Sequence, residues 1–137
     1  MDAERKRLRD LSTRLLRLHK ILLDRERRAY EGLHGRTPSG ALLRLLLEDE
    51  QFAWLRVLSA LIAQIDAAVE TDEPIAHADA ERAFAEAYRL LRSGSDGPFQ
   101  ERYRLALQES ADVVMVHAHV SRVLPPPSTP DGPDRAT

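Results

Sequence analysis

Residues 4–33 read ERKRLRDLSTRLLRLHKILLDRERRAYEGL. Leu8, Leu11, Leu15, Leu18 and Leu22 recur at alternating spacings of three and four, which aligns them along one face of a helix. Leu16, Leu23 and Tyr30 form a second row beside that seam and widen it to the stripe a helical core requires. Helix is therefore expected from Glu4 to Leu33, ending in the glycine-rich segment 32–40.

Glycine and proline divide the rest of the chain. No glycine or proline falls within 41–71, 75–93 or 99–124, and such breaker-free runs rich in alanine, leucine, arginine and glutamate favour helix. Thr37 followed by Pro38 reads as an N-cap with proline at the first helical position, opening a second helical stretch to about Glu70. Trp54, Leu58, Leu61, Ile65 and Ala68 hold its seam, supported by Leu55, Ile62 and Val69. A break at Glu48–Glu50 is expected, with Asp49 as cap, because a continuous helix would place Glu50 in the seam between Leu47 and Trp54. Thr71–His77 turns around Pro74. A helix from about Ala78 to Arg92 buries Ala80, Phe84, Ala87 and Leu91. Pro98 opens a last helix, in which Phe99, Tyr103, Ala106, Ser110, Val113, His117, Val120 and Leu124 keep a 4-3 spacing. Pro125–Pro127 stop it.

These elements predict an all-α fold, an antiparallel bundle of four to five helices with a disordered Pro-rich C-terminal tail. Residues 1–124 form the expected single domain and 125–137 the tail. At 137 residues with a formal charge of −2, one domain is the ordinary size. The absence of cysteine excludes disulfide scaffolds, thiolate metal sites and cysteine nucleophiles. No apolar run exceeds four residues, so no membrane segment is expected, and the charged start MDAERKRLRD does not read as a secretory signal. A cytoplasmic location follows as the expectation. Arginine outnumbers lysine 18 to 2, a bias typical of GC-rich bacterial coding.

The candidates for chemistry are few. Bundle interiors hold metals with histidine and carboxylate side chains, and His19, Glu26, Glu50 and His117 are the candidates for such a site. A di-iron centre would want two Glu-x-x-His pairs, whereas only Glu31-x-x-His34 occurs, at the end of the first helix. His117 and His119 lie about 200° apart around a helix and cannot readily share one metal. In an assumed hairpin topology His19 and Glu50 fall at similar heights, with His117 roughly 35 Å away at 1.5 Å per residue. No cofactor is therefore expected, and His19 and His117 read as hydrogen-bonded core or boundary residues. Neither His19 nor His119 has the small neighbours that a phosphorelay histidine needs. Glu48–Glu50 and Asp72–Glu73 read as caps and helix-start charges, and Ser39, Ser59, Ser110 and Ser121 stand in no nucleophile-elbow context. No catalytic residue is assigned.

Charge is segregated along the chain. Residues 1–44 carry 12 basic and 6 acidic side chains, whereas residues 45–137 carry 8 and 16. Opposite-signed halves suit self-association or docking to a charged protein, with a homodimer as the leading expectation. Leu8, Arg14, Arg17, Phe52 and Trp54 are the contact candidates, although core packing is the stronger reading of each residue taken singly. An interior metal or small apolar ligand is the rival reading. Nucleic-acid binding through the basic first helix ranks lower, because acidic residues interrupt it and no nucleic-acid module is recognisable.

Overall fold

A computed structural model describes residues 3–38 and 40–124. Ser39 and the expected tail at 125–137, including its proline stop, lie outside the described residues. The fold is all-α. Six α-helices occur among the described residues, more than the four to five expected: α1 (Ala3–His34), α2 (Ala41–Glu48), α3 (Arg56–Glu70), α4 (His77–Leu91), α5 (Pro98–Glu109) and α6 (Ala111–Ser121). A six-residue 3₁₀ turn, Glu50–Leu55, leads directly into α3.

The added helix comes from Ser110. Its backbone is extended and its side chain accepts a hydrogen bond from the Val113 amide, so it ends α5 and caps α6. A serine hydroxyl bonding its own backbone competes with helix continuation. Burial nonetheless keeps the 4-3 rhythm across the break, since Phe99, Tyr103, Ala106, Val113, Val120 and Leu124 are all buried.

The break near residue 49 occurs where expected, with the Asp49 carboxylate accepting from the Gln51 amide. The start of α2 differs from the expectation. Gly40, in the left-handed region at φ 89°, precedes Ala41, and α2 has no side-chain cap. Thr37 instead donates its backbone N–H to Glu31 Oε2 at 2.8 Å, tying the loop back to α1. A residue with a Cβ would be strained at position 40, and the helix begins after it.

Helix α1 is the axis of the fold. Arg5 donates to the Val69 carbonyl, Ser12 Oγ to Asp66 Oδ1 at 2.6 Å, His19 Nε2 meets Ser59 Oγ at 2.6 Å, and Glu26 accepts from Trp54 Nε1 at 2.9 Å. Residue numbers rise on one side as they fall on the other, so α1 and α3 run in opposite directions. Arg14 donating to the His119 carbonyl of α6 and Arg25 pairing with Glu109, two residues before α6 begins, give the same opposed sense for α1 and α6. Leu8, Leu11, Leu15, Leu18 and Leu22 are all buried between these helices. Leu16, expected to widen the stripe, is half exposed; Leu23 and Tyr30 are partly buried.

The stretch Glu50–Glu70 is long and apolar enough by composition to cross a membrane. Its side chains Phe52, Leu55, Leu58 and Ile65 are fully enclosed in the protein core, the pattern of a core helix.

The helix phase predicts a contrast between neighbours. Leu18→Ala, at a fully buried site, should cost about 2–5 kcal/mol by cavity formation, whereas Leu16→Ala should stay within about 0.5 kcal/mol. Urea denaturation followed by circular dichroism reads both. Equal costs would contradict the packing.

Candidate functional site

Glu26 is the most constrained polar side chain of the core. It faces the start of the 3₁₀ turn and is only 9% exposed. Trp54 Nε1 donates to Oε1 at 2.9 Å, Gln51 Nε2 to Oε2 at 2.9 Å, and Arg102 Nη2 to Oε2 at 3.2 Å. A buried carboxylate is costly unless paired and hydrogen-bonded, and here donors from the 3₁₀ turn and from α5 satisfy it. The Arg102 guanidinium also stands over the Trp54 ring, 5.5 Å from its centroid.

An aromatic row runs from this point into the core. Trp54 lies 5.4 Å from Phe99, Phe99 stacks on Tyr103 at 5.3 Å, and Tyr103 lies 5.5 Å from His117. Tyr103 Oη and His117 Nδ1 are 2.6 Å apart. Burial pushes the Tyr103 hydroxyl well above the ordinary range of tyrosine, so it remains a neutral O–H able to donate to the ring. Phe52, in turn, packs against Tyr30 of α1 at 5.8 Å.

The metal candidates do not converge. His19 faces Ser59 across the α1–α3 seam and His117 faces Tyr103 of α5. Glu26 is engaged with Trp54, Gln51 and Arg102, and Glu50 is exposed at the start of the 3₁₀ turn. Among the described residues, no group of three histidine, aspartate or glutamate side chains could hold a metal. The assumed heights also need correction. His119 is level with Arg14, which brings His117 close to the level of His19 rather than 35 Å from it, because α6 returns along α1. Glu50, next to the Gln51 that meets Glu26, lies about a heptad from His19, or about 10 Å of helix.

The contact candidates divide by burial. Leu8, Phe52 and Trp54 are buried within this chain. Arg14 bonds Asp10 and the His119 carbonyl. Arg17 is exposed, as are Lys6, Arg9, Lys20 and Arg28 of the same helix, whereas Arg7, Arg25 and Arg27 are ion-paired to Glu4 and Glu81, Glu109 and Asp24 respectively. Sequence reasoning missed the Glu26–Trp54–Arg102 cluster. The signal that could have found it is the seven-residue recurrence of Arg5, Ser12, His19 and Glu26 beside the leucine seam, of which the sequence reading singled out only His19 and Glu26.

No protein-family model, curated protein or solved structure matches this chain. Its function has to be read from its own residues.

The histidines make stability depend on pH in opposite senses. Burial lowers the pKa of His19, and burial together with Arg92 lowers that of His117, from an ordinary 6.5. Their stabilisation is complete above that value and lost as pH falls through the depressed folded values. Exposed His77, raised by its bond to Glu4 with a further contribution from Glu81 and opposed by Arg7, acts oppositely: its contribution is complete below 6.5 and lost as pH rises through the raised folded value. Acidification from about pH 7 to about pH 5 should lower the melting temperature by a few degrees. The double variant His19→Gln/His117→Gln should flatten that slope, and an unchanged slope would contradict the assignment.

Proposed function

We propose that the chain is a non-catalytic antiparallel helical-bundle domain over residues 1–124 that acts in the cytoplasm through protein contact, with a second copy of itself as its partner. The carrying observation is the outer face of α2. Leu46 is buried and Leu42 and Leu45 pack partly on the core, yet Leu43 and Leu47 are 63% and 59% exposed. They stand four residues apart and therefore share a face. Leu33, at the end of α1, is exposed near the same turn.

The charges beside that face favour a second copy as the occupant. Arg44 and Glu48 are both exposed and also four apart. Two α2 helices packed antiparallel about a two-fold axis set Leu43 against Leu47 of the partner copy, and Arg44 against its Glu48. Such a patch is self-complementary, as an isologous interface requires. The segregation of charge along the chain supports the same reading.

Light scattering coupled to size exclusion, at tens to hundreds of micromolar protein, tests it. The wild type should elute at twice the 15.5 kDa chain mass. Leu43→Glu/Leu47→Glu should give the monomer without loss of helicity. Arg44→Glu alone should weaken the dimer, and Arg44→Glu/Glu48→Arg should restore it. A wild type that stays at the monomer mass throughout would overturn the proposal.

The exposed basic row of α1 supports a second reading, contact with a polyanion. Lys6, Arg9, Arg17 and Lys20 make no ion pair among the described residues and span about 21 Å at 1.5 Å per residue. Binding to single- or double-stranded nucleic acid should then fall steeply with added salt; salt-independent or absent binding dismisses it.

A further inference from the structure

The cleft around Trp54 has the chemistry of a cation site, and one of the chain's own cations occupies it. At its floor the Glu26 carboxylate is held in orientation by the Trp54 indole N–H and the Gln51 amide, each at 2.9 Å. Its remaining polar partner is Arg102, which lies over the indole ring. The two acid–base partners differ in accessibility: the Glu26 side chain is 11% exposed and that of Arg102 is 45% exposed. The carboxylate belongs to the core, while the guanidinium is a lid that water already reaches.

Arg102 and Trp54 line two spaces at once. On one side a cavity of about 250 Å³ lies between α1 and α5, walled by Leu22, Ala29, Leu105 and Ala106 and by Arg25, whose charge is matched by its ion pair with Glu109 in the same lining. On the other a groove of about 430 Å³ is lined by Glu50, Ala53, Pro98 and Glu101. The Arg102 side chain is common to the walls of both. Were it to swing outward, the two spaces would merge into a pocket of small-ligand size, with an indole face, the Glu26 carboxylate and two rim carboxylates, Glu50 and Glu101. An aromatic face combined with carboxylates is the usual recognition chemistry for organic cations. Only the Arg102 end of the pair is half exposed, and an incoming cation that takes its place keeps the buried Glu26 carboxylate paired, whereas simple loss of Arg102 would not.

We propose that this cleft binds a guanidinium or alkylammonium cation, with Arg102 as the resident group that an incoming ligand displaces. The group recognised is the cationic head, carried either by a free small molecule or by an arginine side chain of a partner protein. No residue of α2 lines the cleft, so the site does not depend on self-association through that helix.

Trp54 is the only tryptophan in the chain, so its fluorescence reports the cleft directly. Agmatine is the free probe, and a capped glycine–arginine–glycine peptide carries the same head group on a backbone. Arg102→Ala should give a saturable change in Trp54 emission with agmatine, with half-saturation about tenfold lower than in the wild type because the internal competitor is gone. The response should vanish in Glu26→Gln/Arg102→Ala, and neutral butylurea or potassium chloride at equal ionic strength should not reproduce it. Tighter binding of the peptide than of agmatine would assign the cation to a partner protein, and the reverse order to a free molecule. Arg102→Gln, which keeps a donor for Glu26 without the charge, serves as the second variant if circular dichroism shows the alanine variant unfolded. A folded variant with no saturable response, or a response indifferent to Glu26→Gln, would overturn the proposal.

Discussion

A single carboxylate determines how the elements of this fold meet. Glu26 projects from α1 into a nearly dry position, where only partners can make a charge tolerable. Those partners are Gln51 and Trp54 of the 3₁₀ turn and Arg102 of α5, so one side chain joins three elements that the sequence separates widely. It is also the last of four polar residues spaced seven apart on α1. Arg5, Ser12 and His19 each reach across to residues 69, 66 and 59. The leucine seam supplies burial, which is non-directional and would survive a slip of α3 by a heptad. The polar ladder would not, because a slip would separate Ser12 from Asp66 and leave Glu26 buried without its donors.

That register positions the features with functional potential. Because Glu26 holds Trp54 by its N–H, the indole ring is fixed against Phe99, and the row of rings continues through Tyr103 to His117. Helix α5 is thus located near its middle by two consecutive side chains, Arg102 at Glu26 and Tyr103 at His117. Ser110 then allows α6 to change direction and return along α1. Helix α2 is the element least involved. Gly40 and Asp49 end it on both sides, Arg56 at the start of α3 donates to its Leu46 carbonyl, and eight residues cannot bury an almost wholly apolar surface all round. Its unburied leucines follow from its short length.

Much of this was legible from residues alone. The leucine period located α1 and its buried side, the glycine and proline positions separated the later helices, and the acidic run at 48–50 marked a true break. Burial of Ala80, Phe84, Ala87 and Leu91 on α4 follows the period read from the sequence. Ser110 escaped notice because it occupies a seam position in an unbroken 4-3 pattern, and periodicity does not register a side chain that bonds its own backbone. Gly40 displaced the expected Thr37 cap because its left-handed backbone sets where α2 begins, a conformation that the Thr37–Pro38 pair does not reveal. The Glu26 cluster was hidden most deeply. Its members lie at 26, 51, 54 and 102: the seven-residue polar row marks Glu26, but no local pattern connects it with partners that it meets only once the helices are packed.

A double-mutant cycle between Glu26 and Trp54 tests the central role of that carboxylate most directly, with Glu26→Gln, Trp54→Phe and the combined variant unfolded in urea and followed by circular dichroism. If the carboxylate–indole bond fixes the 3₁₀ turn to α1, the two substitutions should be non-additive, with a coupling of about 1 kcal/mol or more. Additivity within about 0.5 kcal/mol would contradict it, leaving the leucine seam to specify the fold without this pair.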